Sequence, residues 1–398
     1  MSRKPKHLAL AVAAALWLAA TAVTLAAGSD WKVVSSPNRT NTNNLYGTAA
    51  VSPSDVWAVG YDYSNSNVQM TLTERWNGTN WSMVPSPNPG TQSNCGQGYS
   101  GSALTGVAGV TLNDVWAVGY MCGWNSKTLA EHWNGAQWAA VGSPNEPHGE
   151  TSTLVAVAAA STDDVWAVGN FQESGQYQWD TLVEYWDGTR WSIVESPNVA
   201  GADKNFLTAV AVVSSTDVWA VGYSETDITD VPLIEHYDGE GWSIVPSVYP
   251  PPSEFNELYG VAALSADDVW AVGYENENSQ GQYGGALTEH WDGVKWTLVD
   301  GPVLGVATNL NAVAAVSSTN VWAVGYVWRV GIQAEPIAEH WNGTSWSAAI
   351  APNPGKAAQL CSAASINGSV WAVGMYSKTG GIPGALQNPL TLTLLQSR

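Results

Sequence analysis

The chain has 398 residues, a formal net charge of −20, 23 Trp against 3 Phe, and only 12% charged residues. A polypeptide so rich in aromatics is not a disordered one. Its acidity repels phosphate backbones and it lacks the basic clusters that hold proteins to anionic lipid, so nucleic acid is not an expected partner.

The chain opens on Arg3, Lys4 and Lys6, then an apolar run from Leu8 to Ala27, then small residues. That is the pattern of a secretory signal peptide, assigned to residues 1–28 with cleavage after Ala27 or Gly28, or after Ala22. About 20 apolar residues can also span a bilayer, so an uncleaved N-terminal anchor is the alternative. No second apolar run of that length follows. Residues 29–398 are therefore expected to be secreted or extracytoplasmic, with no membrane insertion of the mature domain.

The phrase "DWKVVSSPN" comes next, at Asp30 to Asn38, and similar phrases return as "NWSMVPSPN", "RWSIVESPN" and "SWSAAIAPN". "DVWAVGY" at Asp55 to Tyr61 then recurs with Trp116, Trp166, Trp219, Trp270, Trp322 and Trp371 in the place of Trp57, at intervals of 49 to 59 residues. Each unit holds four strand-like parts. A small-residue strand such as "LYGTAAVS" comes first, then "DVWAVGY", then a strand such as "TLTERWNG", then one beginning at Trp81, Trp138, Trp191, Trp242, Trp296 or Trp346. Asn-Gly or Asp-Gly joins the third to the fourth, a strong hairpin signal.

Seven such units of about 50 residues predict an all-β fold: a seven-bladed β-propeller of four-stranded antiparallel blades. The Ala, Gly and Val of the first strands suit the crowded axis, and the Trp of the outer strands fills the widening wedge between blades. The seventh unit begins at Leu360 and ends in "PLTLTLLQSR", with a third strand but no fourth. "WKVVSSPN" supplies it, so the ring closes by pairing the N-terminal strand with the C-terminal one and hides two strand edges.

On these residues the chain resembles secreted bacterial β-propeller repeat proteins, within the broad group that includes kelch-like, tectonin-like and WD40/YVTN-like propellers. "VWAVG" is similar to the corresponding strand of tectonin-type lectins. The paired glycines of kelch repeats, the Asp-box, the "YVTN" phrase and the Trp-Asp ending of WD40 blades are absent. The resemblance, covering Trp31 to Leu395, implies a fold and no particular activity.

Glu74, Glu131, Glu184, Glu235, Glu289 and Glu339 recur once per blade, with His132, His236, His290 and His340 beside four of them. A catalytic site is built once, so these are read as buried structural carboxylates taking hydrogen bonds from a Trp indole, His or backbone of their own blade. Blade seven is read with Leu392, Thr393 and Leu394 in the Glu-His-Trp places. Asp55, Asp114, Asp164, Asp217 and Asp268 are read as caps of the turn before "VWAVG".

The loops between second and third strands differ in every blade, whereas the turns on the opposite face are short and uniform. A rigid scaffold carrying variable loops on one face is how binding surfaces are made. Outside the repeat frame, the mature chain has only Trp124, Trp179 and Trp328, all read as lying in these loops together with Tyr63, Tyr177 and Tyr283. With Asp180 they form the candidate ligand-binding set, suited to sugar rings or peptides. Glu173, Asp180, Glu225, Asp227, Asp230, Glu275 and Glu277 gather there too. They could ligate calcium, though no loop has a recognisable ligand spacing and no other cofactor is expected. Cys95 and Cys122 fall in loops of the same face and are paired as a disulfide, which export permits. Cys361, in an inner strand, is expected to be a buried free thiol.

The expected function is an exported, monomeric, non-catalytic binding module for a glycan or protein partner. The alternative is a carbohydrate-active enzyme, a glycoside hydrolase or lyase, with carboxylates at the mouth of the channel.

Overall fold

A computed structural model describes residues 31–64, 66–91, 95, 100–123, 125–226, 229–250, 253–276, 284–305, 307–328, 333–382, 385–386 and 389–396. The leader assigned to residues 1–28 lies outside them.

Seven four-stranded antiparallel units follow one another in the chain. Their first strands are Asn43–Ser52, Ser102–Thr111, Gly149–Ser161, Lys204–Ser214, Phe255–Ser265, Ala307–Ser317 and Ala357–Ile366. In blade seven the order is Ala357–Ile366, Ser369–Ser377, Leu390–Gln396 and, from the other end of the chain, Trp31–Val34. The N-terminal strand pairs antiparallel with the C-terminal one, Trp31 facing Gln396 and Val34 facing Thr393. Blade one packs on blade seven through Leu45, Val56, Trp81, Trp371 and Val373. The chain is thus a seven-bladed propeller, closed as its repeats predict.

One aromatic joint repeats at every blade interface. The Trp of each "VWAVG" strand receives the edge of the fourth-strand Trp of the next blade: Trp57 that of Trp138 at 5.1 Å, Trp116 that of Trp191 at 5.2 Å, Trp322 that of Trp31 at 5.4 Å, Trp371 that of Trp81 at 5.3 Å. Edge-to-face pairs of this kind are favoured by the ring quadrupole. On its other side the same Trp stacks on its own blade's third strand, as Trp116 does on His132 at 4.5 Å and Trp219 on His236 at 4.2 Å.

The register of blade seven differs from the reading above. Leu394, Leu395 and Gln396 face Ala372, Trp371 and Val370, as Glu74, Arg75 and Trp76 face Ala58, Trp57 and Val56. The Glu-His-Trp places are therefore held by Leu394, Leu395 and Gln396, two positions further on than Leu392, Thr393 and Leu394. The apolar run "LTLTLL" alternates with a period of two, so sequence alone leaves its register loose by one such step.

The recurrent Asp does not cap the turn. Asp114, Asp217 and Asp268 reach across to the Nε2 of His132, His236 and His290 at 2.8–2.9 Å, and Asp55 holds the Arg75 guanidinium at 2.6 and 2.8 Å. The turn is closed by the hydroxyl three residues before that Asp: Ser52 accepts from the Ser54 N–H, and Thr111 from the Asn113 N–H.

The six glutamates are wholly buried as expected, but the hydrogen-bond partners of Glu184 and Glu289 come from the preceding blade, not from their own. Glu184 accepts from the Ser143 hydroxyl at 2.8 Å, and Glu289 from the Ser247 hydroxyl at 2.7 Å and the Val248 N–H at 3.1 Å. The blade wedge brings the segment leaving one fourth strand over the third strand of the next, a proximity that within-blade spacing does not reveal.

Candidate functional site

The site grows from one glycine. In "VWAVG" a Cβ on Gly60 would lie 1.8 Å from the Asn44 carbonyl oxygen, and the equivalent atoms in the other blades are as close. Opposite each of these glycines the first strand carries a bulge: pairing jumps from Leu45 to Gly47, Leu104 to Gly106, Leu154 to Ala156, Leu207 to Ala209, Leu258 to Gly260, Leu310 to Ala312 and Leu360 to Ser362. A bulge re-aims the residue it leaves unpaired. The seven residues so released, Tyr46, Thr105, Val155, Thr208, Tyr259, Asn311 and Cys361, all line a cavity of about 540 Å³ on the axis.

Three of them tie the ring together. Thr105 and Thr208 donate to the Leu154 and Leu258 carbonyls of the next blade at 3.0 and 2.8 Å, and the Asn311 amide donates to the Leu360 carbonyl at 2.6 Å. Cys361 is a free thiol, but the bulge turns it into the channel wall, where it is half-buried rather than sealed in the core. Its depth in the molecule pushes the thiol up to about 12.

Toward the variable-loop face the second strands add Tyr61, Tyr120, Tyr223, Tyr274 and Tyr326, with Asn170 and Met375 in the other two blades. Each is half-buried or deeper. Their first-strand partners are Asn44, Ala103, Thr153, Phe206, Glu257, Asn309 and Gln359. Among all these channel positions Glu257 is the one carboxylate, and none is a base. It accepts from the Tyr259 hydroxyl and is hydrogen-bonded to Asp230. Burial, then the charges of Glu257 and Glu225, push Asp230 up to about 7, and burial raises Glu257 as well. Lys204 is taken by Glu225.

The expected site residues distribute as follows. Trp124 and Tyr283 lie outside the described residues, as do Asp227 and Glu277. Trp179, Trp328 and Tyr63 are half-buried ends of strands rather than loop residues, because the strands run on into the loops. Tyr63 meets Tyr61 edge-on at 5.7 Å, and Tyr61 stacks on Tyr46 at 5.5 Å. Tyr177 is 90% exposed. Asp180 is buried, and its carboxylate receives the Gln178 amide at 3.1 Å. Cys95 and Cys122 are bonded, their Cα atoms 4.9 Å apart, which fits an oxidising, extracytoplasmic setting. Among the described residues no group of three or more His, Cys, Asp or Glu is arranged to hold a metal ion, and no helix is long and apolar enough to cross a membrane.

Trp179 begins an aromatic arc. It lies 5.8 Å from Phe206, Phe206 lies 5.1 Å from Tyr223, and Tyr223 lies 6.3 Å from Tyr259. The arc runs from the rim at blade three to the axis at blade five and ends beside Glu257. Neither Phe206 nor the "VGY" tyrosines were singled out from the sequence, because they read as repeat frame. Aligning the residue before the recurrent Leu would have isolated Glu257 as the one charged member.

Fold and channel together define a β-propeller repeat protein. Its fold is shared with solved propellers at low sequence identity. A structure described as YCF48 bound to a D1 peptide matches with a TM-score of 0.57 at 11% identity, over 94% of this chain and 99% of that one. The WD40 β-propeller domain of Doa1 matches with a TM-score of 0.54 at 11% identity, over 93% and 98%. No protein-family model and no curated protein matches the chain.

Proposed function

We propose that the protein is an exported, monomeric binding module that recognises a glycan or protein partner on its variable-loop face, at the channel mouth. The observation that carries this reading is the arc Trp179–Phe206–Tyr223–Tyr259. The inter-blade Trp joints are sealed, whereas these four rings are only partly covered and lead continuously from the rim to the axial cavity. Partly exposed aromatic faces flanked by carboxylates and amides suit sugar rings and peptide side chains. Export is supported by the leader pattern and the Cys95–Cys122 bridge.

The enzymatic reading finds less support in the geometry. Glycosidase carboxylates stand about 5 to 9.5 Å apart, whereas Asp230 and Glu257 are in direct hydrogen bond, leaving no room for a sugar or water between them.

The test is an array of glycans and peptides probed with the full-length protein and with Trp179→Ala. The variant is expected to bind about tenfold or more weakly while its melting temperature stays within a few degrees. Intact binding with a large loss of stability would show that Trp179 serves only to pack on Phe206.

A further inference from the structure

The axial cavity has a chemistry of its own. Tyr46, Tyr259 and Tyr326 line it, and Tyr61, Tyr120, Tyr223 and Tyr274 stand at the same level of the neighbouring strands. Tyrosine faces carry negative π density that attracts cations. Three lining residues turn hydrogens away from the cavity: Thr105, Thr208 and Asn311 donate to carbonyls of the next blade. Asn309 Oδ1, also in the lining residues, is buried and receives no hydrogen bond. Glu257 does not itself line the cavity but stands behind Tyr259, which does, and accepts from its hydroxyl, while the nearby base, Lys204, is held by Glu225. A lining of tyrosines with one buried, unpartnered acceptor and one acid just behind it suits a ligand that brings hydrogen-bond donors and positive charge.

We propose that this cavity receives one organic cation, an alkylammonium or alkylguanidinium group, held against its lining tyrosines and the Asn309 Oδ1 acceptor within the field of Glu257. A cavity of about 540 Å³ admits such a head with its aliphatic stem. The head can belong to a free amine or to a Lys or Arg side chain of a protein partner. The inference deepens the reading of this face as a binding surface and rests on it.

The Asp230–Glu257 pair supplies a signature. Without a cation, burial and the charges of Glu257 and Glu225 hold Asp230 at about 7. The groups facing the pair are Glu225, Lys204, Tyr223, Tyr259, Tyr274 and Tyr326. A bound cation favours the ionised pair, so binding expels the proton and affinity rises as pH goes from 5 to 8.

Calorimetric titration of the full-length protein with butylammonium, butylguanidinium and neutral butanol tests this. It includes a capped peptide with one Lys and its norleucine counterpart, and two buffers of different ionisation enthalpy. The cations should bind and the neutral probes should not, with proton release and rising affinity between pH 5 and 8. Glu257→Gln should weaken cation binding about tenfold or more. Glu240→Gln, which removes the same charge from an exposed turn on the opposite face, should leave it unchanged. A Lys peptide that outbinds butylammonium assigns the site to a protein side chain, and the reverse order assigns it to a small amine. Equal binding of cations and neutral probes, affinity flat with pH, or equal losses in the two variants would overturn the proposal. If glycans or neutral peptides bind through Trp179 and the cations do not, the cation site falls and the binding-module reading stands.

Discussion

Glu74, Glu131, Glu184, Glu235, Glu289 and Glu339 place a carboxyl group at one position in each of blades one to six, wholly buried. Burial pushes five of them up to about 8 and Glu289 to about 7. In the unfolded chain they titrate near 4.5, so between that value and about 8 the native state holds more protons than the unfolded state. Their contribution is fully present below about 4.5 and is lost as pH rises to about 8. The melting temperature should therefore fall from pH 5 to pH 8. Self-repulsion of a chain with pI ≈ 4.4 acts in the same direction, and a pair of variants separates the two causes. Glu339→Gln, which cannot ionise, should flatten the slope and raise the melting temperature at pH 8, whereas Glu240→Gln on the surface should do so much less. Equal effects would assign the pH dependence to net charge alone.

At the scale of the strand, the recurrent "SPN" is a clamp. After four of the fourth strands, Trp31–Val34, Trp81–Met83, Trp138–Val141 and Trp191–Val194, the chain turns away at the Pro, and the Asn side chain then takes over the pairing. Asn88, Asn145, Asn198 and Asn38 accept from the N–H of Thr71, Thr128, Thr181 and Thr391 at 2.8, 3.0, 3.0 and 2.9 Å. Asn198→Ala leaves the buried Thr181 N–H without its acceptor, which costs about 1–3 kcal/mol. Urea unfolding should show that loss, and a midpoint equal to the parent's would exclude the clamp. The phrase is plain in the sequence, but its role is not, since the acceptor lies 17 residues from the donor. The same holds for the site. Strand number, the hairpin glycines, the Cys95–Cys122 pair and the variable face all follow from local patterns. The tyrosine ring arises from a position that every blade repeats, and it becomes a site only where seven copies meet on the axis. Glu257 went unseen because "FNELYG" reads as one more first strand, and Asp230 was read only as one of several rim acids because its pairing with the neighbouring blade is set by the ring.

For the whole molecule, closure decides whether these parts form one cavity. The strand Trp31–Val34 covers the edge of Leu390–Gln396, Trp31 sets its edge against Trp322 of blade six, and Asn38 clamps Thr391. Trp31 is 6% exposed, so Trp31→Ala should cost about 3–5 kcal/mol. Deleting residues 30–38 removes the whole strand, bares an apolar edge and opens a seam beside blade one. An open edge recruits other strands, so the deleted protein should melt lower and run as oligomers in size-exclusion chromatography with light scattering. A synthetic peptide of residues 30–38 carries the missing Trp, the strand and the Asn clamp. Added in excess, it should bind the edge, restore the monomer and recover part of the melting temperature by mass action. The same peptide with Trp31 and Asn38 replaced by Ala keeps the strand but loses both anchors, and should fail. A deleted protein that stays monomeric and melts like the parent would mean that six blades and three strands hold the ring unaided.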